Sequence, residues 1–412
     1  CIMNISNNNC RVCNNHIEPF MDFGKMPIAN GFLTSEQFKN EYFFDMQTAF
    51  CNNCKIFQLI DQPEANLMFN ENYPFFSSLS KYMKIHFDNF SNYIIKNHLL
   101  NKKNPFVIEL GSNDGIMLAN FKNKKIKHLG IEPSSNVADI AISKGIETIS
   151  EFFDEDLAKK IVDKYGKADA IFSANCMCHI SNINSAMKGI SILLKNDGIL
   201  AFEDPYLGDM LEKTSYDQVY DEHVYIFSAT SVSNIAKLQN LELIDLEPQV
   251  THGGSMRYII APNGSKNITH NVKKILNEED FKGLNSPKRY DHFKKQCELS
   301  RENLKNTLEK IKENKKRIIG YGATSKSTTI LNYSKIDKEL IEYISDTTPL
   351  KQNKFSPGMH IPIKDYYNFS KNFPDYSILF AWNHKKEIFE KEKNYVQQGG
   401  KWINFVPKVT IE

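Results

Sequence analysis

Two pairs of cysteines and one short run of proton-handling side chains are the parts of this sequence best suited to chemistry. Cys10 and Cys13, then Cys51 and Cys54, form two CxxC pairs separated by residues 14–50. In this spacing each pair supplies two thiolates to one tetrahedral Zn²⁺. Four sulfur ligands leave no open coordination position, so such a metal holds the fold and takes no part in a reaction. Two disulfides or idle thiols are the alternative reading of the same residues. The other run is Tyr220-Asp221-Glu222-His223-Val224-Tyr225, where phenol, carboxylate and imidazole fall within six residues. These are the groups needed to remove a proton beside a carbonyl. A histidine can act as base near neutral pH, a neighbouring carboxylate can fix its tautomer, and a tyrosine can hydrogen-bond a developing enolate oxygen. A purely structural role for the run stands beside that reading.

A ligand-binding turn lies upstream. Phe106–Gly115, FVIELGSNDG, reads as a buried strand running into a glycine turn and a helix start, where backbone can approach a ligand closely. Glu109, Gly111, Asn113, Asp114 and Gly115 are its candidate contacts, and Glu132 ends the next strand, where a carboxylate can accept both hydroxyls of a ribose. A ribose carboxylate without a GxGxxG phosphate turn favours S-adenosylmethionine (SAM) over a dinucleotide, which remains the alternative cofactor. Phe152 and Phe153 are placed to flank an adenine or to fill the core. Asn175 and His179 follow a fourth strand, at the carboxyl edge where doubly wound sheets bind ligands. Cys176 and Cys178, a lone CxC, read as core thiols. Two more turns, His252-Gly253-Gly254-Ser255-Met256-Arg257 and Gly320-Tyr321-Gly322-Ala323-Thr324-Ser325-Lys326, each offer amides, hydroxyls and a cation to a diphosphate. Asp346 stands where a dinucleotide fold holds a ribose.

The elements that must position these groups follow from periodicity. Residues 1–82 read as an irregular, metal-stapled domain. Apolar positions Ile85, Phe87, Phe90, Tyr93, Ile94 and Leu99 fit a helix. Strands and helices then alternate: strands at 106–110, 128–131, 168–173 and 198–203, with helices at 117–123, 136–144 and 183–194 between them. This pattern predicts a parallel, doubly wound α/β sheet. Strands at 241–247 and 256–261, with no helix between, predict an antiparallel pair finishing it at the edge. Phe293, Cys297, Leu304, Leu308 and Ile311 line one stripe of a charged helix, after which strands at 317–320, 341–345 and 376–380 predict a second α/β unit. The expected domains are 1–82, 83–264 and 265–412.

Taken in order, CxxC, CxxC, ELGSNDG, YDEH, HGGSMR and GYGATSK give a whole-chain pattern that resembles the nucleotide-sugar C-methyltransferases, including the C-3′-methyltransferases of mycarose and tetronitrose biosynthesis. The resemblance implies an N-terminal zinc domain, a central class I SAM-dependent methyltransferase fold and a C-terminal Rossmann-like domain, with the sugar nucleotide between them. It implies His223 as the base that removes the C3 proton, with Tyr220, Glu222 and His179 supporting it. It also places Phe75, Ser77 and Ser78, in the segment Tyr73–Ser80, against the sugar, with Phe75 standing where tyrosine is common. His252, Gly253, Gly254, Arg257 and Lys326 complete the expected substrate site.

The implied reaction is C-methylation, at C3, of a nucleotide-linked 4-keto sugar in polysaccharide or deoxysugar biosynthesis. The other classes are a sugar O-methyltransferase and a zinc-containing binding protein such as a nucleic-acid factor. Lys plus Arg number 51 against 49 Asp plus Glu, so the net charge of +2 gives no general attraction to nucleic acid or anionic membrane. No apolar run approaches the ~20 residues that span a bilayer, and Cys1–Cys10 is Asn-rich without a leader pattern. A cytoplasmic monomer is the expectation.

Overall fold

The computed structural model describes residues 8–412 apart from Ser80. The Asn-rich start before Asn8 and the last residue of the Tyr73–Ser80 segment lie outside the described residues. The N-terminal part holds a sheet that its sequence hides, because register shifts interrupt the alternation of its first strand. β1 (Pro19–Pro27) and β2 (Phe43–Phe50) pair antiparallel with two register shifts, and β3 (Phe57–Leu59) adds to β2. Alternating inward residues, Met21 and Phe23 against Phe44 and Met46, bury one face of this sheet.

The central unit holds β4 (Phe106–Leu110), β5 (Lys127–Ile131), β6 (Thr148–Ile149), β7 (Ala168–Ala174), β8 (Leu194–Pro205), β9 (Tyr225–Ile226), β10 (Leu241–Gln249) and β11 (Ser255–Pro262). All but β9 form one sheet in the order β10-β11-β8-β7-β4-β5-β6. β10 and β11 form the expected antiparallel pair at one edge of the sheet, with β11 inserted between β8 and β10 and antiparallel to both. This order, with parallel strands winding outward in both directions from β4 and β7 and a reversed penultimate strand, is the class I methyltransferase sheet. β4 is buried at every position, as expected for a strand covered on both faces. The helix Lys81–Ile94 covers one face through Phe87, Phe90 and Ile94, whereas Ile85 faces solvent.

β9 leaves the central sheet and pairs with β3, joining Phe57 to Ile226 and Gln58 to Tyr225. The backbone N–H of Leu59 also donates to the Val224 carbonyl at 2.8 Å. The Tyr220–His223 run is thereby fixed at the seam between two domains.

The third sheet contains β12 (Ile318–Tyr321), β13 (Ile344–Ser345), β14 (Ile363–Lys364), β15 (Tyr376–Leu379), β16 (Lys401–Asn404) and β17 (Thr410–Ile411), in the order β14-β13-β12-β15-β16-β17. The charged helix Pro287–Glu313 buries its apolar stripe of Phe293, Cys297, Leu304, Leu308 and Ile311. Before it, the helix His270–Phe281 packs on the central unit. Its buried Glu279 accepts from the Ala229 and Thr230 amides at 2.6 and 2.9 Å, capping the helix Ala229–Leu238. The helix Ser325–Ser334 is buried almost throughout. Thr329 donates to the Val219 carbonyl and Thr328 to the Ala29 carbonyl, at 2.8 and 2.9 Å, so this helix ties all three units together.

Candidate active site

One cavity of about 530 Å³ opens between the three units. Its walls bring together Gly111, Asn113, Glu132 and Asn175 from the carboxyl edge of the central sheet with Tyr220, Glu222, His223, His179 and His252. Phe75 and Ser77 come from the N-terminal part and Lys326 from the third unit. Concave sites of this size, mainly apolar with a few converging polar groups, are where small molecules bind.

His223 is buried and held at both ring nitrogens. Nδ1 donates to the Gln218 carbonyl at 2.7 Å, which leaves Nε2 as an acceptor for the Tyr220 hydroxyl, also at 2.7 Å. The tautomer is therefore set by a backbone carbonyl and not by the adjacent carboxylates, contrary to the sequence reading. Burial, then the neighbouring His179, holds the imidazole well below its usual range, so it is neutral with a basic nitrogen facing the phenol. His179 stacks on His223 with ring centroids 5.3 Å apart and on Phe69 at 5.6 Å. Burial lowers His179 to about 4, and its Nε2 has no partner.

The two carboxylates of the run face different ways. Asp221 accepts from the Ala29 amide at 3.1 Å and serves the domain seam. Glu222 accepts from Asn30 Nδ2 at 2.6 Å and from the Tyr73 hydroxyl at 3.3 Å. Burial raises Glu222 to about 7 against the pull of Asn30, Tyr73 and Lys351. Asn30 and Lys351 line the cavity but belong to no motif, so only the folded chain reveals them, whereas Tyr73 opens the aromatic segment already singled out in the sequence.

At the sheet edge Glu132 accepts from the Asn113 and Ser134 amides at 3.0 and 2.8 Å, which aims the carboxylate while leaving lone pairs for a ligand. Asn113, at φ +47°, turns its side chain away from the turn. Its Oδ1 accepts from the Ser77 amide at 2.9 Å and its Nδ2 donates to the Phe75 carbonyl at 3.1 Å. The glycine turn thus clamps the aromatic segment. Asn175 Nδ2 donates to His252 Nε2 at 2.9 Å. Phe152, half exposed, and Phe153 also line the cavity. So does partly buried Cys176, against whose side chain Gly111 packs, while Cys178 is the core thiol of that pair.

Other candidates lie off the cavity wall. Glu109 is buried within β4 and Asp114 pairs with Lys144 at 3.4 Å. Gly115 is needed for packing, since a Cβ there would lie about 3.0 Å from Ile146. Ser78 is exposed. The HGGS turn is shaped by protein neighbours: a Cβ on Gly253 would overlap the Trp382 ring and one on Gly254 the Asp209 carboxylate. Arg257 lies behind the turn, donating to Glu203 at 2.7 Å and Glu247 at 3.3 Å and stacking over Phe90. Asp346 accepts from the Ala323 and Thr348 amides, both at 2.7 Å, so its carboxylate braces the GYGA turn.

The four cysteines converge on one point. Their Sγ atoms all lie within 4.8 Å of one another, with Cys10–Cys54 and Cys13–Cys51 each at 3.4 Å, and none is in a disulfide. A tetrahedron with ~2.3 Å zinc–sulfur bonds has edges of about 3.8 Å, so these positions fit Zn²⁺. Gln58 Nε2 donates to Cys10 Sγ at 3.1 Å, as a group orienting a ligand would.

Among the described residues no helix is long and apolar enough to cross a membrane. Three family models match the chain in order: "Putative zinc binding domain" over residues 10–69, "Methyltransferase domain" over 88–246 and "C-methyltransferase C-terminal domain" over 250–407. A curated relative, "C-methyltransferase NovU" of Streptomyces niveus, is 29% identical over 407 residues, covering 98% of this chain and 96% of that protein. Among solved structures, the PH0226 protein of Pyrococcus horikoshii OT3 is 16% identical with a TM-score of 0.36, covering 45% of this chain and 92% of that one. Magnesium protoporphyrin IX methyltransferase of Synechocystis PCC 6803 with bound SAH is 13% identical, with a TM-score of 0.35 and coverages of 43% and 82%.

Proposed function

We propose that this chain is a sugar C-methyltransferase that transfers a methyl group from SAM to C3 of a nucleotide-linked 4-keto sugar. The observation that carries the reading is the neutral, tautomer-fixed imidazole of His223, buried in the cavity that Gly111 and Glu132 also line. A C-methyltransferase needs a base for a carbon-bound proton, and a histidine whose Nδ1–H is held by a carbonyl presents its other nitrogen as that base.

On this reading Glu132 accepts the ribose hydroxyls of SAM, Gly111 lets the backbone approach its amino-acid end, and Phe152 and Phe153 flank its adenine. Bound there, SAM supplies an electrophilic methyl group. His223 takes the C3 proton, directly or through the Tyr220 hydroxyl that already bonds its Nε2 at 2.7 Å. The ketone makes that proton acidic, and donors such as Tyr220 or His179 stabilise the enolate oxygen. With SAM bound, the enolate carbon would bond to the methyl carbon as the methyl–sulfur bond breaks and SAH is released, the C3 proton staying with His223 or its relay. Glu222, held through Asn30 and Tyr73, fixes the geometry between the N-terminal part and the catalytic run. Cys10, Cys13, Cys51 and Cys54 would hold a zinc ion with no position open to substrate, in the service of the fold.

His223→Ala is expected to bind SAH as the unaltered protein does while methyl transfer falls ~10²-fold or more. Near-normal turnover in that variant would remove His223 from the mechanism.

A further inference from the structure

His223 presents Nε2 as a base because the Gln218 carbonyl holds its Nδ1–H, so whatever holds that carbonyl takes part in the chemistry. Gln218 ends a single helical turn, Tyr216–Gln218, and is 3% exposed. Its side-chain Nε2 donates to the His252 carbonyl at 2.5 Å, so one residue faces the base with its backbone and the HGGS turn with its side chain. The other end of that amide, Oε1, is buried without a hydrogen-bond partner among the described residues. Flipping the amide cures nothing, since it sets an oxygen against the His252 carbonyl. An apolar side chain of similar length would leave no orphaned atom, so the amide is kept for its one contact.

The third unit braces both ends of this contact with one indole. Trp382 Nε1 donates to Asp217 Oδ2 at 2.6 Å, on the residue before Gln218, while its ring lies against Gly253, where a Cβ would overlap it. Thr329 holds the other side of the turn by donating to the Val219 carbonyl at 2.8 Å. His252 sits at φ +54°, and two lysines steady the peptides around it: Lys326 Nζ reaches the His252 carbonyl at 3.2 Å and Lys213 Nζ the Gly253 carbonyl at 2.6 Å. Toward the edge of the central sheet, the His252 ring takes Asn175 Nδ2 at 2.9 Å. None of these bonds touches the base, yet together they fix the carbonyl that sets its tautomer.

We propose that Gln218 is a positioning residue for the base and that Trp382 clamps it from the third unit. The assignment rests on the reading of His223 as the base, and it gives the third unit a task besides walling the cavity. If the Gln218 carbonyl swings away, the Nδ1–H loses its acceptor and the proton is shared between the two ring nitrogens. A ring protonated at Nε2 cannot take the C3 proton there. Neither Gln218 nor Trp382 is among the residues lining the cavity, so their loss should fall on kcat and spare KM.

Gln218→Met, and Trp382→Phe, which keeps a ring and drops the Nε1–H, test this in the full-length, zinc-loaded protein carrying ¹⁵N-labelled histidine. NMR of the unaltered protein near neutral pH, with the His223 signals assigned by their absence from His223→Ala, should find His223 protonated at Nδ1 alone. Protonation at Nε2 overturns the proposal even if a variant fails to fold. Both variants should show His223 as a mixture of tautomers and bind SAH within about twofold of the unaltered protein. With whichever of the dTDP-, GDP-, UDP- and CDP-linked 4-keto sugars is methylated, kcat should fall about tenfold or more at a KM within about twofold. An unchanged tautomer in both variants, or an unchanged kcat in both, overturns the positioning role. The two readings fail differently. Near-normal turnover in His223→Ala removes the base, while a tautomer shift in the Gln218 variant would still show the carbonyl held as described. Methylation that depends on His223 but on neither Gln218 nor Trp382 does the reverse.

Discussion

Replacing Glu222 with glutamine should make the protein less sensitive to alkaline pH. Glu222 is 2% exposed, and burial raises its carboxyl from 4.5 to about 7 despite its bonds to Asn30 and Tyr73. A folded-state value above the unfolded one means that folding favours the protonated form. The associated stability is whole below pH 4.5 and is lost as the pH rises through 7. At about 1.4 kcal/mol for each pH unit between the two values, the full loss is on the order of 3 kcal/mol. Glutamine keeps an oxygen for Asn30 and cannot ionise. The stability of Glu222→Gln relative to the unaltered protein should therefore increase by about 2.5 kcal/mol between pH 5 and pH 8.5. Urea unfolding followed by tryptophan fluorescence at several pH values measures this difference directly. A gap that stays constant across that range would refute the claim that the buried carboxyl is held neutral by its surroundings.

Two further substitutions test the supporting framework. Cys51→Ser, or treatment with a strong zinc chelator, should release the bound zinc seen by elemental analysis and lower the melting temperature, because the four thiolates staple the sheet that β9 extends; an unchanged melt without zinc contradicts the structural role. Asn113→Ala removes the partners of the Ser77 amide and the Phe75 carbonyl, a loss of ~1–3 kcal/mol at the clamp. It should raise KM for the sugar about tenfold, and Asn113→Gly, which keeps the φ of +47° available, should behave the same way; a sugar KM within twofold of normal in both would disconnect the clamp from the site.

The central sheet was legible because its strands are separated by helices of clear period, so β4, β5, β7 and β8 stand at or within a few residues of their expected places. The two-residue strands β6, β9, β14 and β17 carry too few positions for any period to show, while β13 is the end of the segment expected at 341–345. The N-terminal sheet was hidden for a related reason, since the register shifts in β1 break the alternation on which a strand is recognised. In the site, motif residues such as Glu132, Tyr220 and His223 come together in one cavity. Asn30 and Lys351 were invisible, as was the bond of Tyr73 to Glu222, because each contact is made across a domain seam and no local pattern marks it. The glycines of the HGGS turn show the converse. Their spacing suggests a phosphate cradle, yet Trp382 and Asp209, distant in sequence, account for the need for glycine there.

The account is tested most directly by incubating the purified protein with methyl-labelled SAM and a panel of dTDP-, GDP-, UDP- and CDP-linked 4-keto sugars in heavy water, followed by NMR and mass spectrometry. The expected product carries the labelled methyl group on C3 and retains all of its hydroxyl groups, and unreacted sugar recovered from the mixture carries deuterium at C3. A methyl group found on oxygen, or neither methylation nor C3 exchange with any sugar in the panel, would contradict it.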